Sequence, residues 1–380
     1  MILVTLAIDV VLPALPLISD TLRIESDNQR QFVIVAFIAG FALSQAFIGL
    51  LSDAWGRRGL LLASLGAYAV FSLASAFAQD LPMLLALRVA QGAAAGGTRI
   101  LILAVVRDLY NGARMARVMS LATAAFIIAP VLGPAIGAMI ISVASWRVIF
   151  LALGVVGCAA YLVVALRLPE SLAASARRPL SLSSIGEALT LVGRDRLSVA
   201  YTGAMSFRFA GQFAFLTSVQ QIFEQVFVRP DLLAPVLGSI AAVVACGALL
   251  NARFVMAIGA LKMSRMANAG LIAVCAMQLV WVFAGGETLL WFFVFQAVIS
   301  ASASVCNATF QALAMQKMGE VAGAATSLQG SFSMLAGALM GGLAGQIFDG
   351  TLKPYAIALM FFALAAAASA AFGGADDSGT

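Results

Sequence analysis

Four ionisable side chains, Asp9, Arg88, Arg99 and Arg208, stand inside strongly apolar runs. A charge at the centre of a membrane helix costs about 2.5–3.5 kcal/mol on insertion scales, so each must face a polar interior and have a task. Asp9 in such a place carries a proton or meets a substrate; the plainer alternative is a carboxylate hydrogen-bonded to a neighbouring helix. The chain has no histidine, so proton chemistry falls to carboxylates and the commonest metal ligand is missing. Arg88, Gln91, Gly92, Ala95 and Arg99 recur at three- and four-residue steps and share one helix face. Two guanidiniums on a stripe of small residues require a water-filled cavity or an acid, unless the arginine clamps backbone. Farther on, Arg208 shares a run with Gln212, and Asn307 lies in a later one. Amides in spans serve as interhelical glue worth about 0.6 kcal/mol each, or as substrate contacts. Arg99, Arg208, Gln91, Gln212 and Asn307 are the candidate substrate-cavity residues.

Charges also gather between runs. Gly49-Leu-Leu-Ser-Asp-Ala-Trp-Gly-Arg-Arg-Gly59 puts Asp53, Gly56, Arg57 and Arg58 into a short turn, a compact charge cluster at a membrane surface. Asp108, in Arg107-Asp-Leu-Tyr110, falls on the same membrane face. Ion pairs between them would form a cytoplasmic gate; the alternative is a solvated pair worth under about 1 kcal/mol. Gly133, Pro134 and Gly137 form a third feature, two glycines four apart that let another helix come close beside a proline that bends or stiffens the span.

The elements that must position these groups follow from composition. Of 380 residues 62% are hydrophobic and 10% charged, with a mean hydropathy of +1.03, which excludes an ordinary soluble protein. Twelve runs long enough to cross a bilayer are predicted, the first near 1–18 and the last near 354–372. The net charge of +5 reflects topology, not nucleic acid: fourteen Lys and Arg fall in alternate loops, five in the others and three in spans. That bias places both termini in the cytoplasm. The four cysteines lie in different spans, with no disulfide expected. The chain opens at Met1 directly in an apolar helix, as expected of a first span, truncated or whole, and not of a cleaved signal peptide. A polar, serine-rich stretch at 169–198 separates six spans from six. The expected domains are a six-helix bundle at 1–168, a cytoplasmic linker at 169–198, a second bundle at 199–372 and a tail at 373–380.

The Gly49–Gly59 turn resembles the loop between helices two and three of the major facilitator superfamily, Gly-x-x-x-Asp-x-x-Gly-Arg-Arg/Lys, with Ala54 where that family often has a basic residue. Arg88 to Gly92 resembles its helix-four pattern Arg-x-x-Gln-Gly, and Gly133-Pro134 to Gly137 the helix-five motif of its antiporters, with Ala138 for the last glycine. The resemblance implies an all-α polytopic fold of twelve helices in two pseudo-symmetric six-helix bundles. It ties Arg88 to proton movement, with Asp9 the nearest partner by helix order. Ile8 to Pro16, Val106 to Tyr110 and Phe348 to Pro354 narrow the likeness to the bicyclomycin and chloramphenicol resistance (Bcr/CflA) drug:proton antiporters.

The implied function is proton-coupled export of small drug-like molecules by alternating access, from the bacterial inner membrane, as a monomer and without a cofactor or metal. Three arginines in spans against one deep aspartate favour neutral, zwitterionic or anionic substrates over cations. Proton-coupled transport of a metabolite or nutrient is the alternative, and a non-transporting receptor a remote one. An enzyme is not expected: neither a His-Glu-x-x-His site nor a Gly-x-x-x-x-Gly-Lys phosphate loop occurs, and the second absence disfavours an ATP-driven pump.

Overall fold

The computed structural model describes residues 2–110, 112–172, 190–316, 318 and 322–373, and among them every regular element is helical. The chain divides into two compact units, Met1–Ser184 and Ile185–Thr380. The linker expected at 169–198 falls largely on 173–189, and the tail on 374–380, both outside the described residues.

In the first unit the opening span is broken. Helix α1 (Ile2–Asp9) stops at Asp9, a 3-10 turn covers Leu12–Ala14, and α2 (Leu15–Leu22) resumes. Pro13 has no N–H for the carbonyl of Asp9 four residues back, and Pro16 none for Leu12, so the ladder fails here. The carbonyl of Leu12 is taken instead by the Leu15 N–H. Then come α3 (Phe32–Trp55), α4 (Arg57–Ser75), α5 (Leu81–Leu109), α6 (Gly112–Val143) and α7 (Arg147–Arg167). Asp80 caps α5, its carboxylate accepting the Met83 N–H at 2.8 Å, with Pro82 in the first turn. Helices α3 and α5 make the most extensive contact of the unit. They come that close through Gly40 and Gly92, whose missing side chains leave room for the backbone carbonyls of Val89 and Phe37 respectively.

The second unit contains α8 (Arg196–Gln221), α9 (Leu233–Ile258), α10 (Ala260–Phe283), α11 (Leu289–Ala314), α12 (Ala322–Gln346) and α13 (Lys353–Gly373). Helix α8 is its axis, packed against α11, α12 and α13. Eighteen of its 26 residues are buried, which explains how a helix carrying Arg208 and several glutamines is tolerated.

Nine spans of described residues are long and apolar enough to cross a membrane. The other three of the expected twelve are α6, α8 and α12, with 32, 26 and 25 residues. At 1.5 Å per residue each exceeds the roughly 30 Å hydrocarbon core, so length is satisfied in all three, and the sequence of α6 is itself strongly apolar whereas α8 is markedly polar. The halves also repeat in detail. The turn between α3 and α4 pivots on Gly56 (φ 97°, ψ 161°) and that between α9 and α10 on Gly259 (φ 86°, ψ 147°), a backbone region closed to other residues. Gly337 and Gly341 of α12 seat against Phe209 and Ala210 of α8, as Gly133 and Gly137 of α6 seat against Asp9 and Val10.

Candidate functional site

Asp9 ends α1 where the prolines interrupt the helix, and its side chain is only 6% exposed. It stands against α6 so closely that a Cβ on Gly133 would lie 2.5 Å from its own Cβ. The next glycine, Gly137, admits the carbonyl of Val10 and the ring of Pro13. Gly133, Pro134 and Gly137 are all buried, and the helix-five motif is therefore the wall on which the break in the first span rests. Neither sequence segment alone reveals that juxtaposition.

Arg88 is fully buried and has all three of its nitrogens engaged. Its Nε donates to the carbonyl of Val33 at 3.0 Å, Nη2 to that of Ala7 at 3.0 Å, and Nη1 to Gln91 Oε1 at 2.7 Å. The guanidinium also lies over the ring of Phe37, 4.5 Å from its centroid. Gln91 passes the network on, donating through Nε2 to Ser72 Oγ at 2.7 Å, and that hydroxyl donates to the carbonyl of Tyr68 at 2.6 Å. The expected pairing of Arg88 with Asp9 is thus corrected: among the described residues no ion pair or hydrogen bond joins them. The carbonyl of Ala7, left free in the last turn of α1, and that of Val33, in the first turn of α3, take the cation instead. Gln91, expected in a substrate cavity, is fully enclosed with both amide ends bonded.

Arg99 lies farther along α5, half-buried, with Nη1 donating to Gln45 Oε1 at 3.4 Å and its Nε buried without a partner. In the second unit Arg208 is 4% exposed and its Nε likewise lacks a partner. It borders a cavity of about 10 Å³ with Gln212, Cys275, Gln296 and Ser300, and no carboxylate lines it. That is room for about one water. Gln296 is fixed by donating to Ser300 Oγ at 3.1 Å and accepting from the Tyr355 hydroxyl. Asn307, on α11, is not among the residues lining this cavity, and its carbonyl oxygen is buried without a partner.

Where α3 and α5 end and α4 begins, Arg57 is 4% exposed and pairs through Nε with Asp108 Oδ2 at 3.1 Å, while Nη1 donates to Ser52 Oγ. Arg58 donates to the carbonyls of Leu168 at 2.7 Å and Ala165 at 2.8 Å. Asp53 sits in the last turn of α3, its side chain outside the described residues. Glu170 is the member that sequence reading missed. Its carboxylate accepts the backbone N–H of Arg57 at 2.9 Å, and also those of Arg58, Ser171 and Leu172. Burial pushes the Glu170 carboxyl up, but these four N–H groups outweigh it and hold it below its ordinary value. A glutamate just past a span, 113 residues from the helix it caps, carries no local signal.

Residues 1–341 match the family described as Major Facilitator Superfamily. The chain is 30% identical over 375 residues, 97% of its length, to the uncharacterized MFS-type transporter YdgK of Bacillus subtilis (strain 168), covering 91% of that protein. It is 28% identical over 351 residues to a bicyclomycin resistance protein homolog of Haemophilus influenzae, covering 91% of this chain and 87% of that one. Multidrug resistance protein MdtL of Escherichia coli matches at 30% over 168 residues, 44% of this chain and 43% of that one. These relatives support the Bcr/CflA resemblance. Among solved structures, a D-xylose-proton symporter aligns with a TM-score of 0.74 at 15% identity, over 96% of this chain and 94% of that one. A bacterial homolog of the human lysosomal transporter Spinster also gives 0.74, at 13% identity, over 98% and 93%. At such identities the likeness carries the twelve-helix fold alone.

Proposed function

The chain belongs to the major facilitator superfamily of membrane transporters, and from that premise we propose that it exports small drug-like molecules across the bacterial cytoplasmic membrane in exchange for protons. One observation carries the reading. Asp9 is an acid placed deep in a span, at a helix break, against the glycine wall of α6, with no cation bonded to it among the described residues. Charging a carboxyl so placed is costly unless water or substrate reaches it, and α6 stands directly against it to feel the change. Arg88 holds α1 to α3 and α5 beside it, and Gln91 holds Arg88.

The substrate side of the proposal rests on Arg208, with Gln212 beside it, and on Arg99. Both arginines keep a buried N–H unmatched, so a ligand bringing a carbonyl, hydroxyl or carboxylate oxygen would satisfy them. This favours neutral, zwitterionic or anionic molecules. Access alternates as the two six-helix units move, and the Arg57–Asp108 pair with Asp53 serves as the cytoplasmic latch. Both termini face the cytoplasm, following the excess of basic residues in that set of loops.

The test is proton release from proteoliposomes on addition of a candidate such as a phenicol, comparing the native chain with Asp9→Asn. Release that vanishes in the variant while substrate binding survives supports exchange at Asp9. If both bind and neither moves protons, coupling is refuted; if an inward proton gradient drives accumulation, the direction is uptake.

A further inference from the structure

The second unit holds a cavity lined by none of the residues on which the transport reading rests. It measures about 460 Å³ and opens between α10 and α13, walled by Tyr201 and Phe310, with Ser264, Arg265 and Asn268 on one side and alanines of α13 on the other. Its level in the bilayer follows from α10. The exposed residues Met266, Met277, Val280 and Trp281 mark its lipid face, and Trp281 packs 5.3 Å from Trp291. Arg265 precedes Trp281 by sixteen residues, roughly 24 Å along a helix axis. That is close to the roughly 30 Å hydrocarbon thickness, with an aromatic pair at one boundary and the arginine at the other. Helix α13 shows an apolar exposed flank of its own, with Phe361, Leu364 and Phe372. The cavity mouth therefore lies between two lipid-facing surfaces at the cytoplasmic headgroup level.

Its chemistry is one-sided. Arg265 is exposed and forms no ion pair among the described residues, and no carboxylate lines the cavity. Lys262 stands one turn earlier, and Arg196 flanks the far side, donating to the carbonyl of Phe372 at 2.8 Å. The nearby Asp195 is occupied in capping α8. Asn268, one turn deeper than Arg265, is 8% exposed and keeps its carbonyl oxygen buried without a partner. In the first unit the corresponding place, between α4 and α7, is filled by protein: Arg58 reaches the carbonyls at the end of α7 and Glu170 caps α4. Counting from the pivot glycines, Leu261 stands where Arg58 does, and the place is open.

We propose that this cavity binds the headgroup of an anionic phospholipid of the cytoplasmic leaflet. The phosphodiester sits on Arg265, a headgroup hydroxyl donates to Asn268, and the upper acyl chain lies along the alanine and aromatic walls. The inference is independent of whether the chain exports drugs.

Purified protein is equilibrated with mixed lipid micelles containing phosphatidylglycerol, phosphatidylethanolamine and phosphatidylcholine, and retained lipid is counted by native mass spectrometry. Phosphatidylglycerol is retained preferentially by the native chain. Arg265→Gln, an exposed position whose melting temperature stays native, loses about fivefold in that affinity, the effect of one basic residue at an anionic surface, and Arg265→Lys regains most of it. Equal retention by Arg265→Gln, or preference for a zwitterionic lipid, overturns the proposal. Full competition by glycerol phosphate, which has no acyl chain, overturns its lipid part in favour of a soluble phosphate. Asp9→Asn leaves the binding unchanged, which separates this result from failure of the transport reading.

Discussion

If Arg88 acts as a three-way clamp, replacing it by lysine is costly although the charge is kept. Its three nitrogens reach acceptors on α1, at the α3 entry and on α5, at 3.0, 3.0 and 2.7 Å. A lysine presents one nitrogen, which can hold one of these well and strands the other two in a fully buried site. Hydrogen bonds between membrane helices average about 0.6 kcal/mol and reach about 1.7. Losing two therefore costs about 1–3 kcal/mol, and losing the planar stack on Phe37 roughly another 1 kcal/mol. We expect Arg88→Lys to lower the unfolding free energy by about 2–4 kcal/mol, measured by reversible unfolding in mixed micelles. The Gln91→Leu variant tests the same network: in a double-mutant cycle its cost and that of Arg88→Lys are not additive, because each removes the bond between them. A lysine variant that unfolds within about 0.5 kcal/mol of the native chain, the limit of additivity error, refutes the clamp and returns Arg88 to a role played by charge alone.

Two further outcomes follow from the same unit. Gly133→Ala forces Asp9 and α6 apart by about 1 Å, at an overpacking cost of about 1–3 kcal/mol, and substrate-induced proton release should fall sharply while the protein still inserts; native release with a native melting temperature would contradict the wall. Glu170→Gln tests the cap on α4. The native carboxyl titrates below its ordinary value, so its contribution is complete above the unfolded value of about 4.3 and disappears as pH falls through the lower folded value. The melting-temperature advantage of the native chain over Glu170→Gln should thus be flat from neutral pH down to about 5 and close only below about 4; an advantage that grows on acidification would show the sign to be wrong.

The spans were legible because hydrophobic runs separated by charged turns are a long, redundant signal, and the pivot Gly56 because the glycine and its flanking charges are adjacent in sequence. Polarity within a span is what composition handles less well. Helix α8 is shielded by its neighbours, so its polar residues lower its apolarity without harming its place in the unit. Within the site, residue types were readable and partners were not. Arg88 announces itself by its cost, but its ligands are two backbone carbonyls and a glutamine, and carbonyls are written into every sequence alike. The Asp9–Gly133 contact joins positions more than a hundred residues apart, and Glu170 reaches as far.

The polarity of α8 has a consequence for how the protein is made. A helix with an arginine near its middle and glutamines toward its end is a poor substrate for the translocon, where a central arginine alone costs about 2.5–3.5 kcal/mol. The surfaces that shelter α8 belong to α11, α12 and α13, which begin at Leu289, Ala322 and Lys353, long after α8 ends at Gln221. During synthesis α8 should therefore be poorly sheltered until α11, α12 and α13 have followed it. The second half should reach its final packing only after α13 has been made, and truncation within α13 should weaken the insertion of α8 as well as its packing.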